Sequence, residues 1–270
     1  MRHVIAVSNR DPAGLNIKEV LITDFGFRKT GADFDGMAIF ERSEVSIVTT
    51  KTELVNAEHL NSLEADLIIF ASRHESVAGK PCFTVHTPGN WATAGLGGRT
   101  GELCISPAVK QTVALRELWD QASRRDLIDR YEVVLEATHH GPFLRSIPCF
   151  FIEIGSRREQ WEDPLAARVI GDAIMGTIGS RYSPGDATIG VGGPHYSRKF
   201  SRMVLEDGVA MGHIVPKYVL PQLSDDMIRK AMDRVLEPVH FVTLDWKGLG
   251  RSKGRIVSCL KKLGVEWTKA

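Results

Sequence analysis

Short apolar, β-branched runs punctuate the chain at residues 4–7, 45–49, 67–71, 82–85, 133–135, 149–154, 188–191 and 241–244. Each predicts a strand, and several are continuous enough to be buried on both faces. Helical spacing lies between them. In 107–122, Val109, Val113, Leu118 and Ala122 share one face behind Ser106, a candidate cap. Asp163 and Pro164 read as the N-cap and first-turn proline of a helix running through Ile178. Ser224, Met227, Ala231 and Leu236 mark another, and 252–263 reads as one with a basic face. Strands alternating with helices predict an α/β fold, a three-layer α/β/α arrangement whose central sheet is mixed because some connections are too short for crossover helices. No repeat or Pro/Ser linker divides the chain, so one domain over 1–270 is expected.

Composition narrows the partners. A content of 43% hydrophobic and 25% charged residues is that of a globular protein. With 34 Lys plus Arg against 33 Asp plus Glu, nothing pulls the whole molecule toward a polyanion or a membrane, and any such surface must be local. The candidate is the C-terminal segment, about 247–270. There Lys247, Arg251, Lys253, Arg255, Lys261, Lys262 and Lys269 are opposed only by Glu266, which suits either phosphate contacts or a solvated helix face. Cys82, Cys104, Cys149 and Cys259 form no paired motif and read as buried thiols in a reducing compartment. The apolar start is too short for a signal peptide, and no stretch is long enough to cross a bilayer. The expected location is the cytoplasm, with no membrane partner.

In open α/β sheets ligands bind beyond strand ends, so the polar turns that follow the apolar runs are where chemistry is expected. One displays His86 and Asn90 around Pro88 and Gly89. A second carries His139 and His140; neighbours in extended chain point to opposite faces, so one is expected to serve the site and the other to buttress it. Glu153 ends a third run. Gly192 and Gly193, before His195, let backbone approach a ligand closely or aim N–H groups at an anion, and their spacing is not that of a dinucleotide fingerprint. His213 and Lys217 follow later. His3, His59, His74 and His240 lack this context and read as surface or core residues, His74 coming closest to the pattern. One histidine beside a glycine turn is usually structural; several at successive strand ends point to convergence. Two mechanisms fit: zinc held by His and carboxylate ligands, or a backbone oxyanion site assisted by a histidine or a substrate hydroxyl. Without a Gly-x-Ser-x-Gly elbow or a Cys–His motif, covalent catalysis is disfavoured.

Taken in order, residues 86–91, 137–142, 153–156, 192–196, 212–218 and 245–249, with Asp11, Pro12, Ala13, Asn16 and Ile17 near the start, resemble the motif series of the archaeal and plant D-aminoacyl-tRNA deacylases. Pro194 departs from that pattern, where a small residue is expected. The resemblance implies hydrolysis of the ester between a D-amino acid and the tRNA 3′ end, a zinc requirement, and a phosphorylase/hydrolase-like fold similar in shape to bacterial peptidyl-tRNA hydrolase. It implies catalytic roles among His86, Asn90, His140, Glu153 and His195, and metal ligands among His139, His140, His195, His213 and Glu153. Gly192, Gly193, Lys217, Lys247 and Arg251 are the expected substrate contacts. The partner is aminoacylated tRNA, met at its 3′ end and acceptor stem, and the enzyme is expected to be a monomer or weak homo-oligomer. L and D esters differ at one carbon, so rejection of the L form by clash is easier than attraction of the D form, and a backbone wall at Gly192 and Gly193 would supply it. A zinc-dependent peptidase or amidohydrolase on a related fold is the competing reading and needs no tRNA surface; a non-catalytic tRNA-binding protein, a third, needs no converging histidines.

Overall fold

Every apolar run predicted as a strand lies within one, usually lengthened by flanking polar residues that continue the ladder. The computed structural model describes residues 2–183 and 185–270. In chain order its elements are β1 (His3–Ser8), α1 (Pro12–Phe25), β2 (Arg28–Phe34), β3 (Met37–Arg42), β4 (Val45–Thr50), β5 (Leu67–Glu75), β6 (Cys82–His86), α2 (Ala108–Ser123), β7 (Glu132–Leu135) and β8 (Cys149–Ser156). Then come α3 (Arg158–Trp161), α4 (Pro164–Gly179), β9 (Ala187–Val191), α5 (Arg198–Arg202), β10 (Ala210–Val215), α6 (Asp225–Asp233), β11 (Val239–Leu244), α7 (Lys253–Leu263) and β12 (Glu266–Lys269).

Eight strands form a mixed sheet in the order β2-β3-β4-β1-β5-β8-β6-β7. Because side chains alternate, Ile5, Val7, Ile69, Ala71, Phe83, Val85, Ile152 and Leu135 enter one core with α1, α2 and α4. Their neighbours Val4, Ala6, Ile68, Phe70 and Phe151 cluster instead with Leu54, Leu60, Phe143 and Leu144. That second face is covered by 3₁₀ turns at Leu54–Asn56 and Glu58–Ser62 and by irregular chain. The mixed α/β class holds. Added to it is a second sheet, all parallel, in the order β10-β9-β11-β12, with its own core against α6 and α7. The runs at 188–191 and 241–244 belong to this sheet.

Local chemistry explains the ends of several elements. Asp11 caps α1 by accepting from the Gly14 N–H at 3.0 Å, while its other carboxylate oxygen accepts from the Arg73 N–H at 2.8 Å, tying the helix to β5. Asp163 caps α4 as its sequence indicates, accepting from Leu165 and Ala166. Ser106 does not cap α2: its hydroxyl accepts from Thr87, and the helix amides of Ala108 and Val109 donate to Glu237, 129 and 128 residues away. All four cysteines are buried and free. Among the described residues no helix is long and apolar enough to cross a membrane.

Candidate active site

Strand register builds the site. Ser72 of β5 and Thr84 of β6 both pair with Glu153 of β8, so the three share one row on one face of the sheet. Glu153 is held there between the Ser72 hydroxyl, donating at 2.7 Å, and the Thr84 hydroxyl, donating at 3.2 Å. Two residues along, on the same face, stand His74 and His86. Between His74 and Cys82 the register places Gly155, where a Cβ would lie 2.5 Å from the Cys82 sulfur and 2.8 Å from the His74 ring. Only glycine lets His74 lean across.

The chain leaving β7 then stitches the two sheets together. Glu136 continues the ladder with its N–H on the Val85 carbonyl at 3.0 Å. The Ala137 N–H donates to the His195 carbonyl at 2.8 Å, and the Thr138 N–H donates to Ile214 of β10 at 3.0 Å. This brings His195, beyond the end of β9, over the face that carries Glu136. His139 and His140 follow. Extended chain would turn these two rings apart, but His140 adopts a left-handed φ of 44°, which breaks the alternation and leaves the rings 4.2 Å apart. The expected split between one site histidine and one buttress is therefore corrected: both rings enter the same cluster.

The resulting geometry is a ring of imidazoles around a buried carboxylate. His74 Nδ1 and His195 Nε2 lie 3.3 and 3.4 Å from Glu136 Oε1, and His86 Nδ1 lies 3.3 Å from Oε2. None of these contacts is aligned as a hydrogen bond, so both Glu136 oxygens and His86 Nδ1 are buried without a partner. Burial alone would raise the Glu136 pKa; the His195 and His86 contacts and the charge on His74 outweigh it and hold the carboxyl well below the usual carboxylate range. For His74 burial works against charge, yet contact with Glu153 and the charge of Glu136 carry it to about 9. Its Nε2 meets the Tyr196 hydroxyl at 2.6 Å. Burial, reinforced by neighbouring histidines, pushes His139 well below the ordinary imidazole range and His140 to about 4, so both are neutral at neutral pH.

The tautomers follow. His139 Nδ1–H donates to the Ala137 carbonyl at 2.8 Å and His140 Nδ1–H to the Gly141 carbonyl at 2.6 Å, leaving each Nε2 with a free lone pair. A lone pair on His86 Nδ1 would repel the Glu136 carboxylate, so that nitrogen carries the hydrogen and points it at Glu136. His86 Nε2 then faces His140 Nε2 at 3.2 Å, a separation that calls for a positive charge between them, a proton or a metal ion. Zn–N bonds of 2.0–2.1 Å set tetrahedral ligands about 3.3 Å apart. The trio His86, His139 and His140 offers ligand atoms within 4.8 Å of one another; so do Glu136, His139 and His195, and His74, Glu136 and Glu153.

A scan against family models matches residues 61–268 to the D-aminoacyl-tRNA deacylase model. The chain belongs to the D-aminoacyl-tRNA deacylase family. Relatives in that family are similar end to end: the D-aminoacyl-tRNA deacylase of Pyrococcus abyssi is 35% identical over 98% of this chain and 99% of its own length, and that of Archaeoglobus fulgidus is 33% identical over 99% and 96%. A crystal structure of a conserved protein of unknown function superposes with a TM-score of 0.91 at 30% identity, covering 99% of this deacylase-family chain and 95% of its own.

Of the residues singled out from sequence, His86, His139, His140, Glu153 and His195 are brought together in the deacylase-family fold. Asn90 lies beside them, its amide donating to the Gly97 carbonyl at 3.0 Å to hold the following loop. Gly192 and Gly193 have φ of 102° and 87°, and a Cβ on either would meet Asp245, at 3.2 Å; the need for glycine comes from backbone conformation and from that packing. The Lys217 N–H donates to the Gly193 carbonyl at 2.8 Å, which sets its exposed side chain near His195. Lys247 and Arg251 are exposed on the second sheet's side and make no ion pair with any described residue. Arg255 instead donates to the Leu220 and Leu223 carbonyls, and Lys253 and Lys269 sit 4.4 Å from the centre of the Trp246 ring. Arg198, three residues beyond His195, is paired with Glu132 and lines a cavity of about 820 Å³ beside the outer edge of β7 that contains none of the cluster.

His213 is not brought to the cluster. Its Nδ1 accepts from the Thr138 hydroxyl at 3.0 Å and its Nε2–H faces the Cys104 and Arg234 carbonyls at 3.1 and 3.2 Å, so no lone pair is left to give a metal. Burial holds its pKa at about 4. Two members escape a reading of the sequence alone. Glu136 directly follows an apolar run, the same signal that singles out Glu153, and His74 alternates with Ser72 on the face of β5 that Glu153 shares. Replacing His213 with Ala strands three buried polar partners and leaves a void, so it is expected to cost about 2–4 kcal/mol of stability. Urea unfolding measures this; a change under about 0.5 kcal/mol would contradict the anchoring role.

Proposed function

We propose that this chain hydrolyses the ester joining a D-amino acid to the 3′ end of tRNA, releasing free tRNA and the amino acid and so clearing mischarged tRNA from translation. The observation that carries this reading is the ring of neutral and charged imidazoles around the buried, unpartnered Glu136, in a chain of the deacylase family. A hydrolase needs a group that can move a proton beside one that can stabilise developing charge, and this arrangement supplies both.

The residues fit a divalent metal. With His74 charged and His139 and His140 neutral, the two carboxylates leave one net negative charge buried, and the His86, His139 and His140 ring nitrogens converge where a cation would offset it. These three residues would hold zinc, which when bound lowers the pKa of water and polarises the ester carbonyl. The remaining work belongs to the protein. Backbone carbonyls of Ala137 and Gly141 lock the His139 and His140 tautomers. Glu153, its oxygens taken by Ser72 and Thr84, positions His74 and is not itself a ligand. His195, with 32% of its side chain exposed, stands at the mouth with Nε2 3.4 Å from Glu136 Oε1; the carboxylate favours the hydrogen on that nitrogen and leaves the Nδ1 lone pair free. His195 takes the proton of the attacking water and returns it to the ribose oxygen as the C–O bond breaks, while Glu136 balances the imidazolium.

Purified protein offered D- and L-tyrosyl-tRNA is expected to deacylate the D ester at least about tenfold faster, and to lose that activity after chelation and regain it with zinc. Equal rates on the two esters would overturn the chiral reading. Full activity in metal-free protein would overturn the metal. Substitution separates the roles: His139→Ala is expected to abolish both metal content and turnover, whereas His195→Gln keeps the metal and loses about two to four orders of magnitude in kcat. Metal retained by His139→Ala, or lost from His195→Gln, would reverse these assignments.

The free cations give a separate expectation. Removing Lys247 and Arg251 together should weaken tRNA binding and flatten its log–log salt dependence by roughly 0.7–0.9 for each phosphate no longer neutralised, with kcat unchanged. Arg255→Ala should lower stability instead, because its guanidinium closes the turn before α6. An unchanged salt slope in the double variant would place the tRNA surface elsewhere.

A further inference from the structure

Most aromatic side chains here are covered. Trp91 is buried, Trp246 stacks on Trp267 between two lysines, and Arg116 lies over Tyr182. Tyr218 is the most exposed Phe, Tyr or Trp among the described residues, at 59% against 44% for Tyr182 and 42% for Trp119, and none of the described residues stacks a ring or places a cation on it. A single exposed aromatic needs no explanation by itself. Its place does. Tyr218 follows β10 and stands next to Lys217, whose N–H is bonded to the Gly193 carbonyl two residues before His195. The turn that carries Tyr218 is thus pinned by backbone to the turn that carries His195, and more than half of the tyrosine is left exposed there.

The substrate read above carries an adenine one ribose away from the ester that is cut. That base is the same on every tRNA, so a platform for it should be sequence-tolerant and flat. An open aromatic face at the mouth of a hydrolytic cluster, with an ammonium group beside it, has that chemistry. We propose that Tyr218 is the stacking platform for the 3′-terminal adenine of the substrate, with Lys217 contacting the phosphate on its 5′ side. This rests on the deacylase reading and deepens it. The consequence is that binding energy from the nucleoside, not from the amino acid, seats the ester against His195.

The test compares kcat/KM for 2′(3′)-O-D-tyrosyl-adenosine with that for D-tyrosine ethyl ester, which has no base. Tyr218→Ala is expected to lower the ratio by roughly 10- to 100-fold, the usual worth of one stacked base, while Tyr218→Phe and Tyr218→Trp keep it within about threefold. A ratio unchanged in Tyr218→Ala overturns the platform. Loss in Tyr218→Phe as large as in Tyr218→Ala overturns it too, since the hydroxyl would then be the working group. Binding of the trinucleotide CCA, followed by NMR of the Tyr218 ring, needs no turnover. Saturable shifts there support the platform even if neither ester is cleaved, an outcome that would count against the deacylase reading alone; no shift on CCA addition counts against the platform.

Discussion

A carboxylate shut away from water with no aligned donor is among the least tolerable groups a protein interior can hold, and Glu136 is that group here. The rest of the site can be understood as the response to it. His74 stays charged because Glu136 and Glu153 flank it. His86 directs a ring N–H at Glu136 and so turns its other nitrogen toward His140, and His195 is drawn to the same oxygen that His74 approaches. Removing the carboxylate would take away the reason for the His86 and His195 tautomers, while backbone carbonyls would still fix those of His139 and His140. The ionised state also depends on the surroundings: a lone Glu at this depth would protonate, and it is the imidazoles that keep it charged.

The cluster exists because two sheets meet at residues 136–138. A single backbone segment bonds to the end of β6, to the turn after β9 and to β10 in three successive N–H groups. Side chains from strands far apart in sequence, β5, β6 and β8, share a face through simple register, whereas His195 arrives from the other sheet. His213 and Thr138 fasten this seam from behind. His213 resembles one more strand-end histidine in the sequence but is a structural anchor, and its saturated hydrogen bonding marks the difference from His139 and His140, each of which keeps one nitrogen free.

Much of this is legible in the sequence alone. Continuous apolar runs such as 149–154 locate the buried strands, and the polar turns after them contain most of the cluster. What the pattern does not carry has physical causes. β2, Arg28–Phe34, is exposed along nearly its whole length at the sheet edge, so no burial demand shaped its residues. α1 buries Ala13, Ile17 and Leu21 but spreads further apolar residues, Leu15, Val20, Ile22 and Phe25, around the helix, which blurs the period of its buried face. The α2 cap comes from Glu237, and no local signal announces a partner so distant. At His140 the rule of alternation fails because one residue leaves the extended region, which a dipeptide of histidines does not reveal. Glu136 and His74 do not stand out because a single carboxylate or histidine looks ordinary until register shows what lies across from it.

The division of labour between the sheets has a bearing on how such an enzyme wears out. His86, His139 and His140 are carried by the eight-stranded sheet and the segment leaving β7, while His195 and Tyr218 ride on the turns of the four-stranded one. Because Ala137 and Thr138 bond to the turn after β9 and to β10, loosening of the smaller sheet, by heat or by a mutation in its separate core, would displace His195 and at the same time slacken the segment that carries His139 and His140. An ageing or damaged molecule would then fall silent while most of the larger sheet was still in place.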